Sequence, residues 1–279
     1  MKMQIKASFI KEILAYFRTG KFMIIAIVII GLAVFSPLIL TGMGALMDSM
    51  SDIYEEFGMD VSEMTEALGT SASMGTSSSV SDITGAGLIV FLLLINRAAG
   101  GEQKKRAVII PRSAGLRSTA YILPKFVIYP LSAFVLAVIA IFASWGVSAL
   151  LFEVNDMVFV GVLIAAILTG VCLMLFVCFH LTLGTATGKA GMSAAVCISA
   201  SIILSNVFAF MSMDYMFNPF ALNVLAATVL RNTYFTGQEA LDIAVTILFA
   251  LAIMFICYLI ALFAQNARRI DNSGNEIDL

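Results

Sequence analysis

Charge is what this 279-residue chain has least of: 12% of its residues are charged, 61% are hydrophobic, and its mean hydropathy is +1.00. Ordinary globular domains carry about 25% charged residues. So apolar a chain has no surface to show to water, which excludes a soluble globular domain and leaves an integral membrane protein. Histidine is nearly absent too. The one residue, His180, cannot build a metal cluster, and no nucleophile elbow is found. The four cysteines, Cys172, Cys178, Cys197 and Cys257, all lie inside apolar runs. There a thiol packs as a small hydrophobe, and the setting is wrong for a disulfide framework. The string GTATGKAG, residues 184–191, has phosphate-loop flavour but fails the chemistry: Gly184 to Gly188 is one residue short, and Ala190 replaces the magnesium-holding hydroxyl. It reads as a short helix–helix connection with Lys189 at the membrane face.

What the sequence does have is long charge-free runs. Phe22–Met47, Phe126–Phe152, Met157–Gly188, Ala190–Met213 and Ile243–Ala267 each exceed the about 20 helical residues that cross a hydrocarbon core. A sixth run, Ile83–Ile95, has only 13 residues and must extend through its flanks. Charge parity argues for it. With six crossings and the N-terminus inside, 15 of the 16 basic residues face the cytoplasm, as the positive-inside rule requires. Thirteen acids, Asp82 among them, then lie in the outer connections, opposed by Arg231 alone.

The expected fold is therefore an all-α integral membrane protein with six transmembrane helices, at about 22–47, 76–97, 124–152, 157–182, 190–213 and 243–266. Residues 1–21 form a basic segment whose Ile10, Ile13, Leu14 and Phe17 share one helical face, the pattern of an amphipathic interfacial helix. The first apolar run is too long for a signal peptide and lacks its cleavage motif, so it is expected to stay as an anchor. Residues 268–279 form a cytoplasmic tail. The outer connection 48–82 is acidic and then serine-rich, which favours flexibility. The last outer connection, 214–242, is too apolar for an open loop and is expected to hold short helices dipping into the outer leaflet. No charged residue is expected inside a span, which argues against an ion-coupled carrier.

One short connection concentrates charge. Residues 96–126, NRAAGGEQKKRAVIIPRSAGLRSTAYILPKF, mix basic residues with Val108, Ile109 and Ile110. Such a surface can bury apolar groups while a charged rim orients a partner. The order Glu102, Gln103, Lys104, Lys105, Arg106, Val108–Ile110, Pro111, Ser113, Arg117, Tyr121, Lys125 resembles the linker between spans two and three in the type-2 ABC exporter permeases. KEILAYFRTGKF (11–22) is similar to that family's N-terminal helix, and Asn218-Pro219-Phe220 to its apolar outer segment. Arg106-Ala107 stands where the family often has a Gly-Thr pair.

The resemblance implies a permease subunit of the plasma membrane, not an enzyme itself. A second permease chain, identical or not, would complete the path through the lipid. Separate ABC-type ATPase subunits would carry ATP and magnesium, this chain holding no cofactor. Glu102, Gln103, Lys104, Lys105, Arg106 and Pro111 would couple to them, with Lys189 as a second contact. Asn218, Pro219 and Phe220 would form an outer gate. Charge-free spans suit an amphiphilic or peptide-like cargo. Two other readings stay open from the residues alone: a sensor or immunity protein capturing a cationic ligand on the acidic loop, and an ion-coupled carrier using His180.

Overall fold

The computed structural model describes residues 2–50, 71–104, 115–152, 158–211, 218–231, 237–267, 269–270 and 276–277. The chain is helical: α1 (Lys2–Arg18), α2 (Lys21–Ser49), α3 (Ala72–Gly101), α4 (Ser118–Leu151), α5 (Phe159–Thr187), α6 (Ala190–Met211), α7 (Leu222–Arg231) and α8 (Gly237–Ala267). Two short strands, Arg269–Ile270 and Glu276–Ile277, pair antiparallel after α8. Five helices are long and apolar enough to cross a membrane, namely α2, α3, α4, α5 and α8; residues Ala190–Leu204 of α6 and all of α7 are shorter apolar helices. A multi-pass membrane protein follows from their length and composition.

Helix α5 is the axis of the bundle, touching α3, α4, α6, α7 and α8. Its contact with α4 is close at Gly170, where an added Cβ would come 2.5 Å from the Phe134 ring. Without a hydrophobic drive between helices in lipid, such close packing supplies the association energy. Rows of large apolar side chains point outward from α2 and α8, including Ile27, Phe35, Leu248, Phe255 and Phe263.

The serine tract departs from its expected flexibility. From Ala72 it is helical, and Thr76, Ser77 and Ser79 are buried. Each hydroxyl answers a carbonyl or another hydroxyl: Ser79 lies 2.6 Å from Ser144 and donates to the Ala33 carbonyl at 3.0 Å, and Thr76 donates to Ser148 at 3.1 Å. Hydroxyls on neighbouring helices thus satisfy one another, so a polar run becomes packing surface. Asp82, assigned by sequence to an outer connection, lies inside α3. The acidic residues 51–70 fall outside the described residues.

Two π-helical turns, Ile83–Gly87 and Arg97–Gly101, interrupt α3, and Glu102–Lys104 adds a final turn. The backbone leaves helical geometry at Gly100, where a Cβ would come 2.5 Å from the Gly184 carbonyl oxygen. A Cβ on Gly184 would in turn strike the Ala99 carbonyl. The two glycines let the end of α3 rest backbone-to-backbone on the end of α5. Helix α5 then stops at Gly188, whose φ of 67° is the left-handed cap that glycine adopts freely.

Helix α1 presents Ile10, Ile13, Leu14 and Phe17 outward, all exposed, while Glu12 and Tyr16 turn inward and are buried. Helix α4 begins at Ser118, six residues before the expected span, and carries Pro124 and Pro130 within it.

Candidate functional site

The densest polar network joins α1, the end of α3 and the start of α4. Lys125, 1% exposed, donates each of its three ammonium protons: to Glu102 Oε2 at 2.7 Å, to the Tyr121 hydroxyl oxygen at 2.9 Å and to the Ala98 carbonyl at 3.0 Å. The Tyr121 hydroxyl in turn donates a hydrogen bond to Glu102 Oε2 at 3.0 Å. Nζ also sits 4.1 Å from the Tyr121 ring centroid, close enough for a cation–π attraction. From α1, Lys11 approaches Glu102 Oε1 at 3.5 Å. Glu12 accepts the Tyr129 hydroxyl at 3.0 Å, and the Tyr16 hydroxyl meets Ser132 Oγ at 3.1 Å. Beside this, Gln103 Nε2 donates to Gln265 Oε1 of α8 at 2.8 Å.

The local sequence explains the arrangement. Tyr121, Lys125 and Tyr129 are spaced four apart on α4 and so share a face, as Glu12 and Tyr16 do on α1. Burial alone would raise the Glu102 carboxyl, but the adjacent Lys125 charge and hydrogen bond, the Lys11 charge and the Tyr121 hydroxyl outweigh it. They hold the group down to about 2. Glu102 is therefore a fixed anion, tethering the chain that leaves α3.

Of the coupling residues expected from sequence, Glu102 and Gln103 are buried in this network and point into the chain. Lys104 closes the turn; Lys105, Arg106 and Pro111 lie outside the described residues. Lys189 is exposed at the tight turn between α5 and α6, its N–H donating to Thr187 Oγ1 at 3.2 Å. The Gly100–Gly184 contact puts this turn at the same end of the bundle as Glu102. Lys11, Glu12, Tyr16, Tyr121, Lys125, Tyr129, Ser132 and Gln265 were not singled out by sequence as site residues, although Tyr121 and Lys125 stand in the order that carries the family resemblance. One signal was available: Glu12 is the sole acid among the first 47 residues.

Phe220, of the expected outer gate, packs nearer the Thr187 end of α5 than its Phe159 end. Phe220 stacks on Phe179 of α5, with ring centroids 5.8 Å apart and planes 20° apart. Phe179 is about 30 Å along α5 from Phe159 and about 12 Å from Thr187, at 1.5 Å per residue. Asn218 makes this position tolerable: its side chain accepts the Phe220 N–H and its carbonyl the Ala221 N–H, both at 3.1 Å. Pro219 is buried and has no N–H to satisfy. From there α7 climbs along α5 and α3 until Arg231 donates to Ser77 Oγ at 3.3 Å.

His180 is fully buried, with Nδ1 2.8 Å from Ser193 Oγ of α6 and the Ser193 hydroxyl donating to the His180 carbonyl at 2.7 Å. This closed pair staples α5 to α6. Comparison with protein-family models finds no match for the chain, and comparison with curated proteins finds none either.

Proposed function

We propose that this chain is the membrane subunit of an ATP-driven exporter of the type-2 ABC kind. Six spans have both termini in the cytoplasm of a plasma-membrane protein, and two such chains form the path. Separate ATPase subunits dock at the end where Glu102 and Lys189 lie. One observation carries the reading: the segment leaving α3 is fastened at its first residues to α1, α4 and α8, through Glu102, Lys125, Lys11 and the Gln103–Gln265 pair. A push on the basic segment that follows reaches three helices at once, and bistable packed elements convert such a push into rearrangement. In this reading Glu102 and Gln103 anchor the lever, and Lys104, Lys105 and Arg106 meet the ATPase. Helix α1, with its apolar residues outward, lies in the membrane interface.

The test is purification of the tagged chain from its native membranes in mild detergent. A stoichiometric ATPase subunit is expected, and reversing the charges of Lys104, Lys105 and Arg106 should release it while the chain still inserts. A chain that emerges alone, with no hydrolysis when its neighbours are added back, overturns the reading.

A further inference from the structure

Among the described residues, α3 differs from every other long helix in what it shows outward. Helices α2, α4 and α8 expose rows of Leu, Ile, Val, Met and Phe, whereas α3 exposes one large apolar side chain, Leu93. In its place stand Ser81, Asp82 and Ala86, exposed, with Ser78 and Gly85 half-buried beside them. Residues 78, 81, 82 and 85 recur at helical spacing and so form one face. The π-turn Ile83–Gly87 begins immediately after Asp82; such turns cluster at functional sites.

Asp82 is deep. It is about 15 Å along α3 from Ala72 and about 28 Å from Gly101. Its carboxylate accepts the Ser36 hydroxyl at 2.5 Å, and Ser36 lies within about 4 Å of the midpoint of the apolar stretch Lys21–Leu46. Beyond Ser36, α2 still points Leu38, Ile39, Met43 and Leu46 outward, so the apolar surface of the bundle continues past the level of Asp82. A carboxylate at that depth does not face lipid; it faces water or a charge partner. No described basic side chain forms an ion pair with it, and Arg231 is instead bonded to Ser77.

We propose that the Ser78–Ser81–Asp82–Gly85 face lines a water-filled path and that Asp82 receives the cationic group of an amphiphilic substrate. The serine hydroxyls and small residues leave room for a bulky apolar body against the wall, and the single fixed acid selects its sign. The twelve other acids that the sequence assigns to outer connections would extend the same sign along the route. The inference rests on the exporter reading for its transport step alone, since the site itself is a property of this chain.

Two measurements on the full-length chain test it. In native membranes, cysteines placed by Ser81→Cys and Gly85→Cys should react with a charged, membrane-impermeant maleimide, and Val135→Cys on the apolar face of α4 should not. The four native thiols are buried and give little background. In detergent, tetraphenylphosphonium should bind about tenfold more weakly to Asp82→Asn than to the native chain, the scale of one ion pair. Tetraphenylborate, of the same shape and opposite sign, should not lose affinity, and Asp82→Glu should keep phosphonium binding. Ser81→Cys as silent as Val135→Cys, or equal phosphonium affinity in Asp82→Asn, overturns the proposal. Sign-selective binding in a chain that purifies without an ATPase would sink the exporter reading and leave the cation site standing.

Discussion

Lys125 directs every proton of its ammonium group at a different acceptor, and no described solvent-exposed alternative exists for it. Truncating one partner of such a buried pair strands the other, which costs about 3–5 kcal/mol. Lys125→Met should therefore lower the melting temperature of the purified chain severely. Lys125→Met combined with Glu102→Leu should recover much of the loss, because neither half of the Lys125–Glu102 pair is then left stranded. Lys11 is different, its side chain 57% exposed, and Lys11→Ala should change stability by less than about 1 kcal/mol. Acid offers a second check. The Glu102 carboxyl is depressed from 4.5 to about 2 in the folded chain, so its ionised form favours the folded state. That contribution is complete above about pH 4.5 and disappears as pH falls through about 2. The melting temperature of the native chain minus that of Glu102→Gln should be constant above pH 5 and shrink steadily below it; a difference independent of pH down to 2 would contradict the assignment. Glu102, Tyr121 and Lys125 were visible in the sequence because they fall within one short segment in a recognisable order. Glu12 and Tyr129 were not, since the residues that meet are 117 apart and no local pattern joins them.

At the scale of elements, charge-free runs located α2, α4, α5, α6 and α8 to within a few residues at most ends, because lipid demands unbroken apolar length. Of α3 they marked only Ile83–Ile95, and the expected span at 76–97 fell short of its serine-, glycine- and threonine-rich start at Ala72. Hydropathy counts a hydroxyl as polar whether or not a neighbouring helix satisfies it, and Ser79 is satisfied by Gly75, Ala33 and Ser144 together. Ser144→Val should destabilise the bundle measurably, by about 1 kcal/mol, since the Ser79 hydroxyl then loses a partner in a dry seam. The Gly100–Gly184 contact makes a sharper prediction. Gly184→Val drives α5 and the end of α3 apart and should cost about 1–3 kcal/mol, read as a lower melting temperature. Gly191→Ala, with nothing within 4 Å of the added carbon, should leave it unchanged. A short helix was expected between 214 and 242, and α7 lies there, but its packing along α5 was not legible because the Phe220–Phe179 stack joins residues far apart in sequence.

For the whole molecule, the proposed topology makes a prediction about orientation, with the end bearing Glu102 and Lys189 in the cytoplasm. In intact cells Phe159→Cys, at the start of α5, should react with an impermeant thiol reagent, whereas Lys189→Cys should react only after permeabilisation. The reverse result would overturn the proposed orientation and, with it, the docking of an ATPase at that end. The way α1 is held also has a consequence for how the molecule comes into being. Glu12 leaves the ribosome 117 residues ahead of Tyr129, and Tyr16 emerges 116 ahead of Ser132. At about 5–20 residues per second, the first helix waits roughly 6–25 s for the partners that bury it. During that interval its one carboxylate stays hydrated at the membrane surface, while its outward Ile10, Leu14 and Phe17 already have lipid to meet. Helix α1 is thus made well before it is locked, closing on the bundle only after the third long helix has been threaded.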